Sequence, residues 1–269
     1  MDATVSLATR IGDELRFALS AWVYFTRVPL PAPIAAWLGY EPRYLNGAAR
    51  YFPLVGVVIG ALGALVYLLA LTRLPVSVAV LLSMCATLLL TGALHEDGLA
   101  DCFDAFGGAY TREDALRIMR DSRIGAFGAI GLLLALGLKW AALSELSAPP
   151  VWHTAWHTAW LMIAAHAASR ANAISLMFSL DYVREEGRAR PVAQQLGWPA
   201  AVAALWFGGC WLLWPNWRWG LAALVALALL RALLASWYRR RLGGYTGDCL
   251  GLAQQLSELL VYLFALAWN

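Results

Sequence analysis

Apolar residues run without a charge from Phe52 to Leu71, from Leu74 to Leu94 and from Trp198 to Pro215. Four further runs carry one charge each: Ile124–Leu143 with Lys139, Trp156–Leu180 with Arg170, Trp219–Tyr238 with Arg231, and Leu250–Trp268 with Glu258. About 20 apolar residues let a helix cross the hydrocarbon core of a bilayer. The pattern therefore predicts an all-α polytopic membrane protein with about seven transmembrane helices. The last run is the weakest, because Gln254, Gln255 and Glu258 put polar groups on it. Upstream, Leu7, Ile11, Leu15, Ala18 and Trp22 recur at helical spacing, with Arg10, Asp13, Glu14 and Arg16 on the other faces. That predicts an N-terminal amphipathic helix. It suits a helix lying in the membrane interface and a helix docked on the loops equally well.

Composition agrees. Of 269 residues, 61% are hydrophobic and 14% charged, and the mean hydropathy is +0.62. A soluble domain has about 45–50% apolar and about 25% charged residues. The excess excludes a disordered chain, a secreted disulfide scaffold and a nucleic-acid module. The net charge of +3 sets up no field for polyanions. Cys85, Cys102, Cys210 and Cys249 show neither paired nor zinc-type spacing. Charges in the first 26 residues break any signal-peptide core, so none is expected. No repeat or linker divides the chain, which reads as one domain over residues 1–269.

Charge placement predicts orientation. With the N-terminus inside, inside segments hold 15 of the 20 Lys and Arg residues, and outside loops hold only Arg73 and Arg218. This bias implies a cytoplasmic N-terminus and an odd number of spans. Trp198, Trp214, Trp217, Trp219, Trp237 and Tyr238 near span ends suggest an aromatic belt.

The acids are concentrated. Seven of 17 fall between Glu96 and Asp121, after the second apolar run. Asp97, Asp101 and Asp104 stand at i, i+4 and i+7, which is one face of a helix. Such carboxylates repel one another unless a cation neutralises them, and hard divalent ions favour oxygen ligands. The spacing points to a Mg²⁺ site, with Mn²⁺ as the other fitting ion; a solvated acidic face is the alternative. Arg120 and Arg123 bracket Asp121. Their guanidinium forks suit phosphate, or they anchor the inner face. Asp121 is placed to complete a metal shell or to take a proton from an attacking hydroxyl. His95 reads as a base or substrate contact, or as a helix-end imidazole satisfied by backbone. Arg170, within a span, suggests function: it reaches a substrate phosphate or pairs with Glu258. Lys139 and Arg231 read as snorkelling side chains. His153, His157 and His166 read as structural.

Arg50–Gly56, Asp181–Arg188 and Gly243–Asp248 mix glycine with charge on the same side as the aspartates. One compact site is able to collect all four segments, although short turns with anchoring charges explain them as well. In order, RYFPLVG (Arg50–Gly56), HEDGLADCFDAFGG (His95–Gly108), MRDSRIGAFG (Met119–Gly128) and GGYTGDCLG (Gly243–Gly251) resemble the signatures of the cobalamin-5′-phosphate synthase family, also called adenosylcobinamide-GDP ribazoletransferases. YVREEGRARP fits that family's exit from the fourth span. The resemblance covers nearly the whole chain from Phe25, with Glu96 standing where an apolar residue is expected.

The resemblance implies a late step of cobalamin biosynthesis. Adenosylcobinamide-GDP and α-ribazole 5′-phosphate give adenosylcobalamin 5′-phosphate and GMP, with a divalent cation required. It implies Asp97, Asp101 and Asp104 as metal ligands and Asp121 as a fourth ligand or base. It also puts Arg50, Arg120 and Arg123 on phosphates and Asp248 on a ribose or base. The expected setting is the bacterial inner membrane, multi-pass, with the site loops cytoplasmic. A homo-oligomer or a complex with other cobalamin-assembly enzymes is compatible with it, and nucleic acid is not a partner. Two alternative readings fit the sequence less well. CDP-alcohol phosphotransferases share an Asp-Gly cluster but continue it with Ala-Arg and wider spacing, whereas Leu99-Ala100-Asp101 follows here. A secondary transporter needs paired polar residues in related halves, and no half-repeat is visible.

Overall fold

The first long apolar run folds over the residues expected of it. Helix α4 spans Phe52–Leu71, with Pro53 in its first turn, where a missing N–H leaves nothing unsatisfied. The structure is a computed structural model describing residues 7–39, 41–149, 151–184, 197–214 and 216–268. Residues 185–188 of the Asp181–Arg188 segment, and Arg190, lie outside them. The described residues form an all-α protein.

Helix α1 (Leu7–Phe25) leads into the short helices α2 (Ala32–Leu38) and α3 (Pro42–Ala48), then α4. Helix α1 docks on the rest of the protein by one end. Its C-terminal end packs Ala21 and Phe25 into the core, while Ile11 and Leu15 nearer its start stay exposed.

The second apolar run does not form one straight helix. Helix α5 (Val76–Thr91) stops, and α6 (Leu94–Gly108) departs at 89°. Gly92 and Ala93 between them both take left-handed backbone, at φ +65° and +55°. The N–H of Arg27 donates to the Leu90 carbonyl at 2.7 Å, and the Arg27 side chain lies where a Cβ on Gly92 would fall. The acidic segment thus forms a helix running off the end of a span, with its three aspartates on one face.

Helices α7 (Arg112–Ile118), α8 (Ala126–Leu146), α9 (Trp152–Ser175), α10 (Trp198–Gly209), α11 (Trp217–Leu242) and α12 (Gly247–Trp268) follow. Helix α9 is the central post, packed on α4, α10 and α12. Among the described residues, four helices, the α4 segment from Ala49, α8, α11 and α12, are long and apolar enough to cross a membrane, or five if α5 and α6 make one broken span. Helix α9 is long enough but polar, with Arg170 and His166 buried in it. Helix α10 with its 3₁₀ extension to Leu213 is apolar but short. Trp198, Trp214 and Trp217 are exposed as a belt requires. Trp219 and Tyr238 instead are buried, and the Tyr238 hydroxyl donates to the Cys249 carbonyl at 2.9 Å. All four cysteines are free.

Two apolar clusters fill the bundle. One, around Phe52, Leu99, Leu176 and Leu252, lies toward the end where α4 and α12 begin. The other, around Tyr67, Leu143, Leu161 and Tyr262, lies toward the opposite end. Between them runs a polar band. Lys139 Nζ meets Glu258 Oε1 at 2.5 Å, with both side chains at most 7% exposed. Glu258 also accepts from Gln254 at 2.8 Å and from the Tyr262 hydroxyl at 3.2 Å, with His166 Nε2 at 3.4 Å. Lys139 therefore does not snorkel, and it rather than Arg170 is the partner of Glu258: α8 and α12 bury the pair between them. Arg231 does not snorkel either. It donates to the carbonyl and hydroxyl of Ser175 and to the Ser179 hydroxyl, satisfying the end of α9.

Breaking a buried ion pair costs about 3–5 kcal/mol, because one charge is left uncompensated. K139M is expected to lower the thermal midpoint of detergent-solubilised protein sharply, and K139M/E258Q to recover part of the loss. At the bend, a Cβ at φ +65° costs about 1–2 kcal/mol before the Arg27 clash. G92A is therefore expected to destabilise in the same assay and A93G to hold or gain stability.

Candidate functional site

Where α6 meets α12, the two backbones nearly touch. A Cβ on Gly98 would lie 2.9 Å from the Asp248 Cα, and one on Gly251 would lie 3.0 Å from the His95 carbonyl oxygen. Only glycines permit this approach. It sets the Asp97–Asp101 face of α6 against Asp248 in the first turn of α12. A third strand of chain joins them after α9. The Tyr245 N–H donates to the Asp181 carbonyl at 2.9 Å and the Val183 N–H to the Tyr245 carbonyl at 3.0 Å. This short parallel bridge between Tyr182 and Tyr245 carries Arg184 to Asp248, and the two pair at 2.5 Å.

These residues surround a cavity of about 240 Å³. Asp97, Asp248 and Arg184 line it, together with His95, Arg170 and Gln254. Its apolar wall comes from Tyr24 and Phe25 at the end of α1, and from Phe52. The His95 ring stacks on Phe25, with centroids 5.6 Å apart and planes 3° apart. Burial, reinforced by the Arg170 charge, holds the His95 imidazole well below its usual range, so it stands neutral in the wall.

The carboxylates differ in their surroundings. Burial first, then the negative charges of Asp248 and Asp97, push the Asp101 carboxyl up to about 7. Both Asp104 oxygens are engaged: the N–H groups of Gly125 and Gly128 donate to them at 2.7 and 2.8 Å, closing the start of α8. Asp121 is held by Arg123, which donates to it through its backbone N–H at 3.1 Å and from Nη2 at 2.6 Å. That pairing draws the exposed Asp121 carboxyl down to about 2.

Of the residues singled out in the sequence, His95, Asp97, Arg170 and Asp248 line the cavity, and Asp101 and Asp104 follow along α6. Arg50 does not line it: the guanidinium pairs with Glu14 of α1 at 3.0 Å and lies over the Phe17 ring. Arg120, Asp121 and Arg123 also stand off it, on the turn between α7 and α8. Arg184 and Gln254 are lining residues that sequence reasoning did not name. Each had a signal: Arg184 lies in the charged run after the fourth apolar stretch, and Gln254 is one of the groups that weakened the last one.

Among the described residues, no three His, Cys, Asp or Glu side chains already converge as a metal cage. The donor chemistry nevertheless suits a hard cation. Mg²⁺ commonly takes one or two carboxylates and completes its shell with substrate phosphates and water. Asp97 and the repelled, half-buried Asp101 offer that pair.

The chain matches the family model for cobalamin-5-phosphate synthase over residues 17–266. It is 53% identical to an adenosylcobinamide-GDP ribazoletransferase of Ralstonia pickettii over 246 residues, covering 91% of this chain and 93% of that one. It is 54% identical to one from Ralstonia nicotianae, covering 93% and 95%, and 46% identical to one from Shewanella amazonensis, covering 95% and 97%. No solved structure matches.

Asp104 acts as a cap in this geometry, and losing such a cap costs about 0.5–2 kcal/mol. D104A is expected to lower the thermal midpoint to the same extent with and without chelator. A loss seen only when divalent ions are present would show that Asp104 works through a cation instead.

Proposed function

The chain belongs to the cobalamin-5-phosphate synthase family, and from that premise we propose how its cavity carries out the family's reaction. Its role is that of an adenosylcobinamide-GDP ribazoletransferase in cobalamin synthesis. A ribose hydroxyl of α-ribazole 5′-phosphate forms a new O–P bond to the phosphorus that carries adenosylcobinamide. The bridging P–O bond of the diphosphate breaks, GMP leaves with its electron pair, and the hydroxyl proton passes to a carboxylate or to water. The product is adenosylcobalamin 5′-phosphate.

The observation that carries the assignment of residues is the meeting of Asp97, Asp248, Arg184 and Arg170 around one cavity. We assign Asp97 and Asp101 as the ligands of Mg²⁺, or of Mn²⁺ in its place, with Asp104 beside them orienting the start of α8. A divalent ion bound there supplies positive charge to the entering and leaving oxygens of an in-line displacement. Arg184 steers Asp248 toward the ribose, and its own Nε, buried and unpartnered among the described residues, is free to meet a phosphate oxygen. His95, neutral, lines the cavity as a hydrogen-bond contact for the substrate. Arg120 and Arg123, exposed on the α7–α8 turn, are placed to meet the outer phosphates of a donor too large for the cavity.

The excess of Arg on the segments around the site supports an inner-membrane setting with this end and the N-terminus cytoplasmic. The CDP-alcohol and transporter alternatives are not favoured, since the family match and the relatives cover nearly the whole chain.

D97N and D101N are each expected to cut GMP release from adenosylcobinamide-GDP and α-ribazole 5′-phosphate by about a hundredfold or more, the scale of losing a main charge-stabilising group. Protein level in the membrane should be unchanged. Chelation of the unaltered protein should give the same loss, restored by Mg²⁺ or Mn²⁺. Turnover that survives both substitutions would remove these two carboxylates from the metal site.

A further inference from the structure

Arg170 is 2% exposed, yet it lines the cavity. Its Nη1 donates to the His166 carbonyl at 2.9 Å and meets His166 Nδ1 at 3.1 Å, while its Nε has no partner among the described residues. Its stem passes over Gly56 of α4, where a Cβ would come within 2.9 Å of the Arg170 Cδ. That glycine keeps the guanidinium where it is.

Among the described residues, the charge of Arg170 is not answered by an ion pair; the two acids that act on it at longer range are Glu258 and Glu96. Glu258 is already neutralised by Lys139. Glu96 accepts from Gln255 at 2.8 Å and makes no ion pair with Arg170 among the described residues. A buried guanidinium left over from such a balance is costly unless an anion completes it. The same cavity holds carboxylates in Asp97 and Asp248, so it is cationic in one part and acidic in another.

We propose that this cavity seats the acceptor: a ribonucleoside 5′-phosphate whose terminal phosphate is gripped by Arg170 while its ribose hydroxyl lies toward Asp97. The proposal rests on the transferase reading and deepens it by assigning one substrate to one place. A planar fork suits a phosphate that offers two oxygens. Tyr24 and Phe25 form an aromatic wall of the cavity against which a flat base packs. At about 240 Å³ the cavity lies below the usual range for drug-sized ligands, so it leaves the corrinoid of the donor outside and has room for the ribose and phosphate end of the acceptor. Arg170 is then the residue that makes the enzyme prefer a phosphorylated acceptor.

The test compares α-ribazole 5′-phosphate with unphosphorylated α-ribazole, reading GMP release by protein in lipid nanodiscs. In R170Q, the ratio of kcat/KM for the phosphorylated over the unphosphorylated acceptor is expected to fall at least tenfold. R170K should be intermediate, because an ammonium offers charge without the fork. If both acceptors lose activity in equal proportion, or if the KM for the GDP donor rises in place of the acceptor's, the proposal is overturned. Equilibrium binding provides a second arm that does not depend on turnover. α-Ribazole 5′-phosphate alone should raise the thermal midpoint of the unaltered protein more than α-ribazole or inorganic phosphate does, and folded R170K should lose most of that shift. An unchanged shift in R170K overturns the proposal. Absence of GMP release from the unaltered protein with either acceptor would overturn the transferase reading itself, and the binding arm would still decide the cavity.

Discussion

Two glycines without side chains, Gly98 and Gly251, set the distance between α6 and α12, and the chemistry of the molecule follows from that distance. With the backbones this close, Asp97 and Asp101 on one helix face Asp248 on the other. Carboxylates brought together this way raise the cost of each other's charge, and for Asp101 the effect adds to partial burial. A face of this kind is unfavourable alone and favourable with a cation. The bend at Gly92 and Ala93 serves the same arrangement. Without it, α5 and α6 would continue as one rod and the aspartates would point away from α12.

Charge inside the bundle is arranged by the same economy. Lys139 and Glu258 neutralise each other between two apolar layers, and Gln254, Tyr262 and His166 satisfy the remaining acceptor positions of the carboxylate. Gln254 belongs both to this band and to the cavity wall, so the pair in the middle of the bundle and the floor of the site share a side chain. The polar face that weakens α12 as a membrane span is therefore the face that links structure to site. Arg170 sits at that junction as a positive charge with no carboxylate paired to it among the described residues.

Much of this was legible beforehand. The span over Phe52–Leu71, the aspartates on one helical face, and the gathering of charged segments at one end all follow from local rules: hydrophobic run length, the helical repeat and the asymmetry of Lys and Arg. The acids Asp97, Asp101 and Asp104 carry their spacing in the sequence itself. So does the amphipathic pattern of α1, though the pattern is the same whether that helix lies on lipid or on protein, and its C-terminal end packs on protein.

What the sequence determined, then, is what depends on neighbours along the chain: helix positions, the shared aspartate face and the polarity of the two ends. What the tertiary structure decided is every pairing between distant residues. Whether Lys139 snorkels or meets Glu258, whether Arg50 faces Glu14 or a cavity, and whether Arg184 reaches Asp248 all turn on which helix faces meet. A run of apolar residues records that it is buried but not against what. The physical reason is that a charge in a span lowers its cost by any partner within reach, and reach is fixed by helix packing and by the few glycines that let backbones close together.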